Sequence, residues 1–414
     1  MQRTGWMLAI VAGLAVTAWA AEWPQLYGPN RNATTPEKGL MRQWPEGGPE
    51  VLWTVDLGPG FGGAAIKDGL VHLLDRKKGQ ADILRVFDLK TGKEVWKFGY
   101  PAPGGIDYPG SRSTPSVGEQ FIYVVGPKGH FHCIDRQKHR PVWQKHLLKE
   151  YGGKEPAWSV AQSPLLYKDM VIVAPQSQKV GVIAFERATG KERWRSEPIG
   201  KMHYRSPLVT TVGGNEQIIM ETMERVSGLD PASGKVLWQY SYKVNVAGVP
   251  NPTPLGQDRF FLTGGYNADS KIVKVEHQGG DFAVKDLHTF KEVGSHVVQP
   301  IFYKDHVYAV CNTNSKQNGM VCFGLDGEIK WRTRKDPWLS KGNTLLTGDG
   351  IFYQMDGATG ELYIVTPSPE GFKALDKVKL LDARPIWAPM ALCNGYLFIR
   401  DQKQGKCLDI KPDR

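Results

Sequence analysis

Asp88-Leu-Lys-Thr-Gly-Lys-Glu-Val-Trp96 is the stretch that decides the fold, because the chain repeats it. An acid opens the stretch, Gly92 follows four residues later and Trp96 closes it. An apolar run precedes the acid, and a new strand led by lysine follows the glycine. Glycine adopts positive φ at little cost, so the pattern predicts a β-hairpin whose turn lies in the middle of the motif.

The motif recurs at regular intervals. It returns at 186–194 and 230–238, at 135–143 with His139 in place of glycine, and in shortened form at 326–331. Successive tryptophans are 43, 47, 51, 44 and 93 residues apart, the last value being two periods: Trp53, Trp96, Trp143, Trp194, Trp238 and Trp331. Periods of this length with four short strands each predict a β-propeller. We expect these tryptophans to be structural and to fill the gaps between neighbouring sheets, with a binding platform as the alternative.

The strand pattern predicts the number of blades. Runs of β-branched and aromatic residues bounded by turns form eight groups after residue 56: 62–98, 112–147, 158–196, 203–241, 248–287, 296–333, 342–380 and 387–410. The last group has three strands, and residues 51–56 supply a fourth with Trp53 in phase. The expected fold is all-β: an eight-bladed propeller over residues 51–410, built from four-stranded antiparallel blades and closed by the N-terminal strand joining the last blade.

The N-terminal residues 1–20 have the pattern of a signal peptide. Arg3 gives a positive start, an apolar stretch follows, and Ala18-Trp-Ala20 supplies small residues for cleavage. The apolar stretch is short for a membrane span, which leaves an N-terminal anchor as the alternative. No cysteine lies near the cleavage position, so we expect an exported protein, periplasmic or secreted, that is not a lipoprotein. Residues 21–50 predict an irregular extension that packs on the outside of the domain.

The formal net charge of +10 is spread along the chain and is not concentrated in blocks. This favours a solvated basic surface, with weak attraction to anionic lipid or polysaccharide as the alternative. There is no nucleic-acid motif, and we expect a monomer that is peripheral to a membrane at most. Five cysteines leave at least one unpaired, and a Cys311–Cys322 disulfide stays open at this point. No Cys-x-x-Cys or Cys/His cluster supports a metal site.

The repeated Asp-x-x-Thr-Gly-Lys-x-x-Trp, together with Ser-Pro pairs such as Ser163-Pro164 and Ser206-Pro207, resembles the pyrroloquinoline-quinone (PQQ) type repeat. The resemblance covers residues 51–410 and is weakest in repeats five and seven, which have Phe282 and Phe372 where the tryptophan strand should begin. Two kinds of protein share such repeats: quinoprotein dehydrogenases, and non-catalytic propellers similar to BamB, the lipoprotein scaffold of outer-membrane protein assembly.

The repeat does not by itself imply the cofactor. The resemblance to quinoprotein dehydrogenases implies PQQ held against a ring of two adjacent half-cystines and Ca²⁺ held by Glu, Asn and Asp side chains. This sequence has no adjacent cysteines, no acidic cluster at Ca²⁺-site spacing and no hydrolase or nucleotide-binding motif. We therefore expect a non-catalytic scaffold without a cofactor. A PQQ- and calcium-dependent alcohol or sugar dehydrogenase is the alternative.

The mouth of the central channel is the expected binding site. Eight residues stand just before the innermost strands and are expected to point toward the axis: Arg112, Trp158, His203, Tyr204, Arg205, Asn251, His296 and Trp387. Aromatic and arginine side chains are favoured in recognition surfaces. They would bind an envelope protein or a small anionic ligand, with simple lining of the channel as the alternative. Arg112 and Arg205 are expected to be exposed charges that contribute little to stability.

Overall fold

A computed structural model describes residues 21–412, which form 32 strands grouped into eight antiparallel sheets of four. The signal peptide expected at 1–20 lies outside the described residues. Within 21–412, no segment forms a helix long and apolar enough to cross a membrane. Each sheet is one blade whose first strand is innermost, and the inner strands of neighbouring blades touch, so the blades form a ring. The expected eight-bladed propeller is confirmed.

The first four blades follow the chain in order. Blade 1 contains β2 (Ala65–Lys67), β3 (Leu70–Lys77), β4 (Ala81–Asp88) and β5 (Glu94–Pro101). Blade 2 contains β6 (Ser116–Val117), β7 (Phe121–Val125), β8 (His130–Asp135) and β9 (Pro141–His146). Blade 3 contains β10 (Leu165–Tyr167), β11 (Met170–Val173), β12 (Ile183–Glu186) and β13 (Glu192–Arg195). Blade 4 contains β14 (Leu208–Val212), β15 (Asn215–Glu221), β16 (Arg225–Leu229) and β17 (Val236–Ser241).

The remaining blades continue the ring. Blade 5 contains β18 (Thr253–Pro254), β19 (Arg259–Leu262), β20 (Ser270–Gln278) and β21 (Asp281–Phe290). Blade 6 contains β22 (Ile301–Tyr303), β23 (His306–Asn312), β24 (Gln317–Gly324) and β25 (Ile329–Arg332). Blade 7 contains β26 (Thr344–Leu346), β27 (Phe352–Met355), β28 (Glu361–Thr366) and β29 (Lys373–Lys379). Blade 8 contains β30 (Ala391–Cys393), β31 (Tyr396–Arg400) and β32 (Gln404–Asp409), and its outer strand is β1 (Glu50–Asp56).

Closure of the ring joins the two ends of the propeller sequence. Strand β1 pairs antiparallel with β32, with Trp53 opposite Cys407 and Asp56 opposite Gln404. The N-terminal strand therefore completes the last blade, as the strand count predicts.

The motif tryptophans lie between blades. Trp53 donates its indole N–H to the carbonyl of Leu89 in the turn of blade 1, at 2.8 Å, and a Cβ at Gly92 would lie 2.5 Å from the Trp53 ring. Gly92 is also at φ 70°, so both the turn and the neighbouring indole require glycine there. The same arrangement repeats with Trp143 over Gly190 and Trp194 over Gly234. In these three pairs, one blade supplies a tryptophan that packs on the turn glycine of the next blade.

Other blades depart from this pattern: in blade 4, for example, Trp238 donates its indole N–H to Gln217 Oε1 of its own blade at 2.7 Å. Trp96 stacks on His139, which takes the glycine position at φ 53°, with 4.4 Å between ring centroids. In blade 5 the tryptophan position is occupied by His288, which lies over Gly327. In blade 7 the position is occupied by Asp376.

A residue of the N-terminal extension replaces the missing tryptophan of blade 7. Asp376 accepts a 2.7 Å hydrogen bond from the backbone N–H of Trp44, which precedes the propeller. The Trp44 ring is buried and lies 5.9 Å from the ring of Tyr353 in the same hydrophobic cluster that joins blades 7 and 8. The N-terminal extension thus supplies an aromatic side chain that the repeat lacks.

The expectation that the whole extension packs on the outside is wrong for residues 23–35, which we call the channel plug. Trp23 and Ile66 of β2 exchange two backbone hydrogen bonds of 2.9 and 2.7 Å, and the Pro24 carbonyl accepts from Val117 of β6 at 2.8 Å. At its other end, Ala33 and Thr35 bond Leu346 of β26, each at 2.9 Å. Because these inner strands line the axis on different sides, the plug lies across the channel.

The five cysteines are buried free thiols in the structure. Cys311 belongs to the hydrophobic cluster between blades 5 and 6, whereas Cys322 belongs to the cluster between blades 6 and 7. The two side chains therefore leave opposite faces of the same sheet, and the structure contains no Cys311–Cys322 disulfide.

Candidate functional site

A cavity of about 160 Å³, the mouth cavity, lies on the channel axis at the face where each blade connects to the next. Each of the eight blade-to-blade connections contributes at least one lining side chain: Phe61, Arg112, Trp158, Tyr204, Ala247, His296, Lys341 and Trp387. Leu26 and Tyr27 of the channel plug line the same cavity. The plug therefore closes the cavity toward the channel interior, and ligands reach it from the connection face.

Aromatic rings form a continuous arc along one side of the mouth cavity. Tyr204 lies 5.6 Å from Trp158, and Tyr108 packs edge-on against Trp158 at 6.5 Å between ring centroids. Tyr108 also lies 6.1 Å from Trp387, and Phe61 lies 5.5 Å from Trp387. The backbone N–H of Trp158 donates to the Tyr204 hydroxyl at 3.2 Å, which fixes the two side chains relative to each other. The arc provides an apolar wall with planar faces.

Arg112 adds a positive charge to this wall without an acidic partner. Its guanidinium donates to the carbonyls of Asp107, Tyr108 and Gly110 at 2.5–2.7 Å and lies 5.6 Å from the Phe61 ring centroid. It forms no salt bridge with any acidic group among residues 21–412. Burial lowers the pKa of Arg112 to about 10, so the side chain is still cationic at neutral pH.

Lys341 supplies a second cation from the connection between blades 6 and 7. Its ammonium lies 5.1 Å above the Trp387 ring and 3.3 Å from Asn314 Oδ1, and it has no acidic partner in the described part of the chain. Burial lowers the pKa of Lys341, because water that would stabilise the charge is partly excluded. None of the described side chains that line the cavity is acidic. The site therefore favours a ligand that carries negative charge.

His296 is held neutral at the side of the cavity. Burial, and then the charge of Lys341, lower the pKa of His296 to about 3. Its ring lies 5.2 Å from Tyr266, and its Nδ1 is buried without a hydrogen-bond partner among the described residues. His296 thus contributes an uncharged polar group and no positive charge at neutral pH.

Two of the residues expected at the mouth lie behind its wall. Arg205 is 1% exposed, and its Nη2 lies 2.8 Å from Glu221 Oε1 in a fully buried ion pair. Its other donors face the carbonyls of Pro250 and Thr263 and the ring of His203. His203 is itself buried and accepts from the Gly248 backbone N–H at 3.1 Å. The expectation that Arg205 is an exposed charge is therefore wrong, because the side chain turns into the blade.

Asn251 belongs to a belt of hydrogen bonds that links the inner strands around the ring. The backbone N–H of Ser206 donates to Asn251 Oδ1 at 3.0 Å, and the N–H of Asn251 donates to Gln299 Oε1 at 3.0 Å. One blade earlier, the N–H of Ser163 donates to Ser206 Oγ at 2.8 Å, and that of Thr114 to Ser163 Oγ at 2.8 Å. The serine of each Ser-Pro pair thus ties one blade to the preceding blade, and Asn251 plays the same part.

The structure brings Arg112, Trp158, Tyr204, His296 and Trp387 to the mouth cavity, and their role in binding stays a prediction. Sequence reasoning missed Phe61, Tyr108 and Lys341, which lie in the same connections as residues that it named or in equivalent ones. A search for every aromatic or basic residue between an outer strand and the next inner strand would have found all three. Tyr27 gave no such signal, because it lies in an irregular segment outside the repeats.

Comparison with known proteins identifies relatives of two kinds. The family model described as "Outer membrane protein assembly factor BamB" matches residues 79–248, which include β4 and β5 of blade 1 and all strands of blades 2–4. The dehydrogenase subunit of the quinone alcohol dehydrogenase of Komagataeibacter europaeus is 26% identical over 123 residues. That match covers 27% of this chain and only 17% of the relative.

Two solved structures share the overall architecture. BamB from Moraxella catarrhalis superimposes with a TM-score of 0.60 at 13% identity, over 88% of this chain and 98% of that chain. Quinohemoprotein alcohol dehydrogenase from Comamonas testosteroni gives a TM-score of 0.64 at 11% identity, over 95% of this chain and 81% of that chain. At these identities the likeness shows the fold, and it does not separate a scaffold from a dehydrogenase.

Proposed function

We propose that this chain, a PQQ-like β-propeller similar to BamB in its first four blades, is an exported non-catalytic binding protein that holds an anionic group in its mouth cavity. The observation that carries the proposal is the pair of unpaired cations, Arg112 and Lys341, on an aromatic wall that contains no carboxylate. A buried positive charge without a counter-ion favours an anionic partner, because the partner restores the charge balance that burial removes.

The groups at the mouth determine what kind of ligand fits. Both N–H groups of Nη2 and one of Nη1 in Arg112 already donate to loop carbonyls, so Arg112 offers its charge and single hydrogen bonds, and Lys341 acts as a point charge. The planar faces of Trp158 and Trp387 favour a flat or apolar body next to the acid. The ligand is therefore proposed to be a carboxylate attached to an apolar or aromatic group, carried either by a small molecule or by an envelope protein.

The side chains of the mouth cavity do not fit a calcium-bound quinone. Ca²⁺ binds through six to eight oxygens, usually with carboxylates among them, and the described lining offers the amide oxygen of Asn314 but no carboxylate. No group of three or more His, Cys, Asp or Glu side chains within residues 21–412 has the arrangement of a metal site. We therefore propose no redox step, and the quinoprotein alternative rests on the relatives alone.

The likeness to BamB favours a protein partner. The matching family model carries the description of an outer membrane protein assembly factor, and a scaffold of that kind needs recognition surfaces without catalytic groups. We propose that the partner or ligand is a component of the cell envelope, in keeping with the export signal expected from residues 1–20.

Binding to the mouth cavity can be tested with aromatic acids. Isophthalate and benzoate would be titrated against the purified protein, with benzamide as the neutral control, and tryptophan fluorescence would report contact with Trp158 and Trp387. We expect both acids to quench or shift the emission, and Lys341→Met to weaken them about tenfold, as loss of one charge-assisted contact does. Equal responses to benzoate and benzamide would contradict the proposal.

A second assay decides between binding and redox function. The protein would be incubated with PQQ and CaCl₂ and assayed with primary alcohols and glucose in the presence of an artificial electron acceptor. We expect no turnover above the protein-free control. Turnover that is lost in the Arg112→Ala variant would establish the quinoprotein alternative. An envelope pull-down with wild-type protein and Lys341→Met, compared by mass spectrometry, would then identify the partners that depend on the mouth.

A further inference from the structure

The channel plug separates the mouth cavity from a second space, the rear cavity, of about 400 Å³ at the opposite end of the channel. Gln25, Asn30 and Arg31 of the plug line the rear cavity on one side. The inner strands β10, β14, β18 and β22 of blades 3 to 6 line it on the other sides. The rear cavity is open to solvent at its own end and closed by the plug at the inner end.

The plug bonds the inner strands of only part of the ring. Its backbone pairs with β2, β6 and β26, and its Arg31 side chain donates to the carbonyls of Ser163 and Pro164 just before β10. Within residues 21–412, it makes no hydrogen bond to β14, β18 or β22. These three strands are the first strands of their sheets, so each has one edge that no strand pairs. Blades 4 to 6 therefore present free backbone edges to the rear cavity.

Strand β14 is the longest of these edges, with five residues. Val212 and Asn215 flank the two-residue turn Gly213-Gly214, and Thr210 lies opposite Gln217. In such a hairpin alternate residues bond the partner strand, so the backbone groups of Val209 and Thr211 point away from β15 toward the channel. An unpaired edge of this kind accepts an extended peptide as an added strand. The channel plug already does this on the other side, where residues 33–35 lie along Leu346.

Arg31 places an uncompensated charge at the closed end of the rear cavity. The side chain is 3% exposed and has no acidic partner among the described residues. Its Nη atoms face the oxygens of Gln25, Ser163 and Pro164, but its Nε is buried with no acceptor. Burial lowers the pKa of Arg31 to about 9. None of the described side chains that line this cavity is acidic.

We infer that the rear cavity binds the C-terminal tail of a partner protein as a strand added to β14, with the terminal carboxylate directed toward Arg31. A chain that enters the cavity cannot leave past the plug, and an internal loop would have to bring two chain segments through the one opening, so the occupant is proposed to be a chain end. The length of β14 limits the paired tail to about four or five residues. Leu165, Val209 and Phe302 in the wall favour apolar side chains in the tail. This inference does not depend on the ligand of the mouth cavity.

The experiment compares two forms of one peptide pool. Pentapeptides with Val, Ile, Leu, Thr and Phe randomised at each position would carry fluorescein at the N-terminus. One pool would end in a free carboxylate and the other in an amide. Fluorescence anisotropy with the purified protein should show about tenfold tighter binding of the acid pool, because a charge-assisted bond to a buried cation is lost in the amide. Equal binding of the two pools, or no binding, would overturn the inference.

Two variants locate the site. Arg31→Gln should remove the preference for the acid pool, whereas Lys341→Met at the mouth should leave it unchanged. Arg31 also holds the plug in place, so Arg31→Gln could disturb the fold. A second measurement therefore uses wild-type protein: peptides with benzoylphenylalanine at the first position would be cross-linked to it and the adducts mapped. We expect adducts on β14, β18 or β22. Adducts at Trp158 or Trp387, or a preference abolished by Lys341→Met, would sink the proposal.

Discussion

Arg205 and Glu221 form an ion pair in which both side chains are completely shielded from solvent, with 2.8 Å between Nη2 and Oε1. The pair joins the start of blade 4 to the end of β15, and burial, followed by the charge of Glu221, raises the pKa of the nearby Tyr242 well above its usual value. Desolvation raises the pKa of Glu221, and the charge of Arg205 opposes that rise. This pair belongs to the interior of the blade and not to a binding surface.

Replacing Arg205 should therefore destabilise the protein strongly. Arg205→Ala leaves Glu221 buried without its partner and removes donors to two carbonyls, so we expect a loss of about 3–5 kcal/mol in the free energy of unfolding. Arg112→Ala is the matched control, because that side chain is only partly buried and bonds a single loop; we expect its loss to be about 1 kcal/mol. Urea unfolding followed by circular dichroism measures both. Similar midpoints for Arg205→Ala and wild type would contradict this assignment.

The tryptophans between blades should contribute to stability according to their burial. Trp194 is 8% exposed and donates to the Pro231 carbonyl at 3.0 Å, so Trp194→Ala should cost about 3–5 kcal/mol. Trp238→Ala should cost a similar amount, since Trp238 is 6% exposed. Trp96→Ala should cost less, because Trp96 is half-buried and lacks the indole hydrogen bond that Trp194 makes. Thermal unfolding of the three variants tests this order of stability losses. If the variants kept their stability but no longer bound a partner, the three tryptophans would form a binding surface instead.

Deleting residues 1–57 should abolish cooperative unfolding. The deletion removes β1, which leaves the edge of β32 unpaired, and it removes the channel plug and Trp44 as well. Calorimetry of the truncated and full chains would measure the effect. A chain that lacks only residues 1–20 is the control. If the 57-residue deletion melts like the control, closure through β1 does not hold the ring together.

Acid should destabilise the protein through its buried histidines. His72 is completely buried, and desolvation, followed by the charge of Arg136, lowers its pKa from the ordinary value of 6.5 to about 3. As pH falls below about 6.5, the unfolded chain takes up a proton that the folded chain does not. Stability is therefore full above pH 6.5 and is lost by up to about 1.4 kcal/mol per pH unit toward pH 3.

The contribution of His72 can be isolated by substitution. Urea titrations at several pH values would give the slope of the unfolding free energy against pH. Between pH 6.5 and 4, His72→Gln should reduce this slope by up to the contribution of one proton, about 1.4 kcal/mol per pH unit. An identical slope in wild type and His72→Gln would show that His72 is protonated in the folded protein.

The repeats made the ring predictable from the sequence, because each blade needs its own tryptophan and glycine. Trp53 alone, in phase but without a hairpin beside it, was enough to predict closure with the last blade. The channel plug was not predictable in the same way, since Trp23 and Ala33 are held by backbone hydrogen bonds that follow no side-chain period. Arg205 shows a second limit of prediction from sequence. Its spacing from the inner strand predicts how far along the channel axis it lies, but not that its side chain turns away from the channel to pair with Glu221.

The channel plug also has a consequence for the order of synthesis. Residues 23–35 are made before every blade, yet Ala33 and Thr35 find their partner in Leu346, more than 300 residues later in the chain. Strand β1 can pair only after its partner β32 (Gln404–Asp409) has been made, which is later still. Trp23 can pair with Ile66 as soon as blade 1 exists, but residues 33–35 and Trp44 cannot reach their partners until blade 7 has been made. Most of the chain must therefore have been synthesised before residues 33–35 and β1 can take their places.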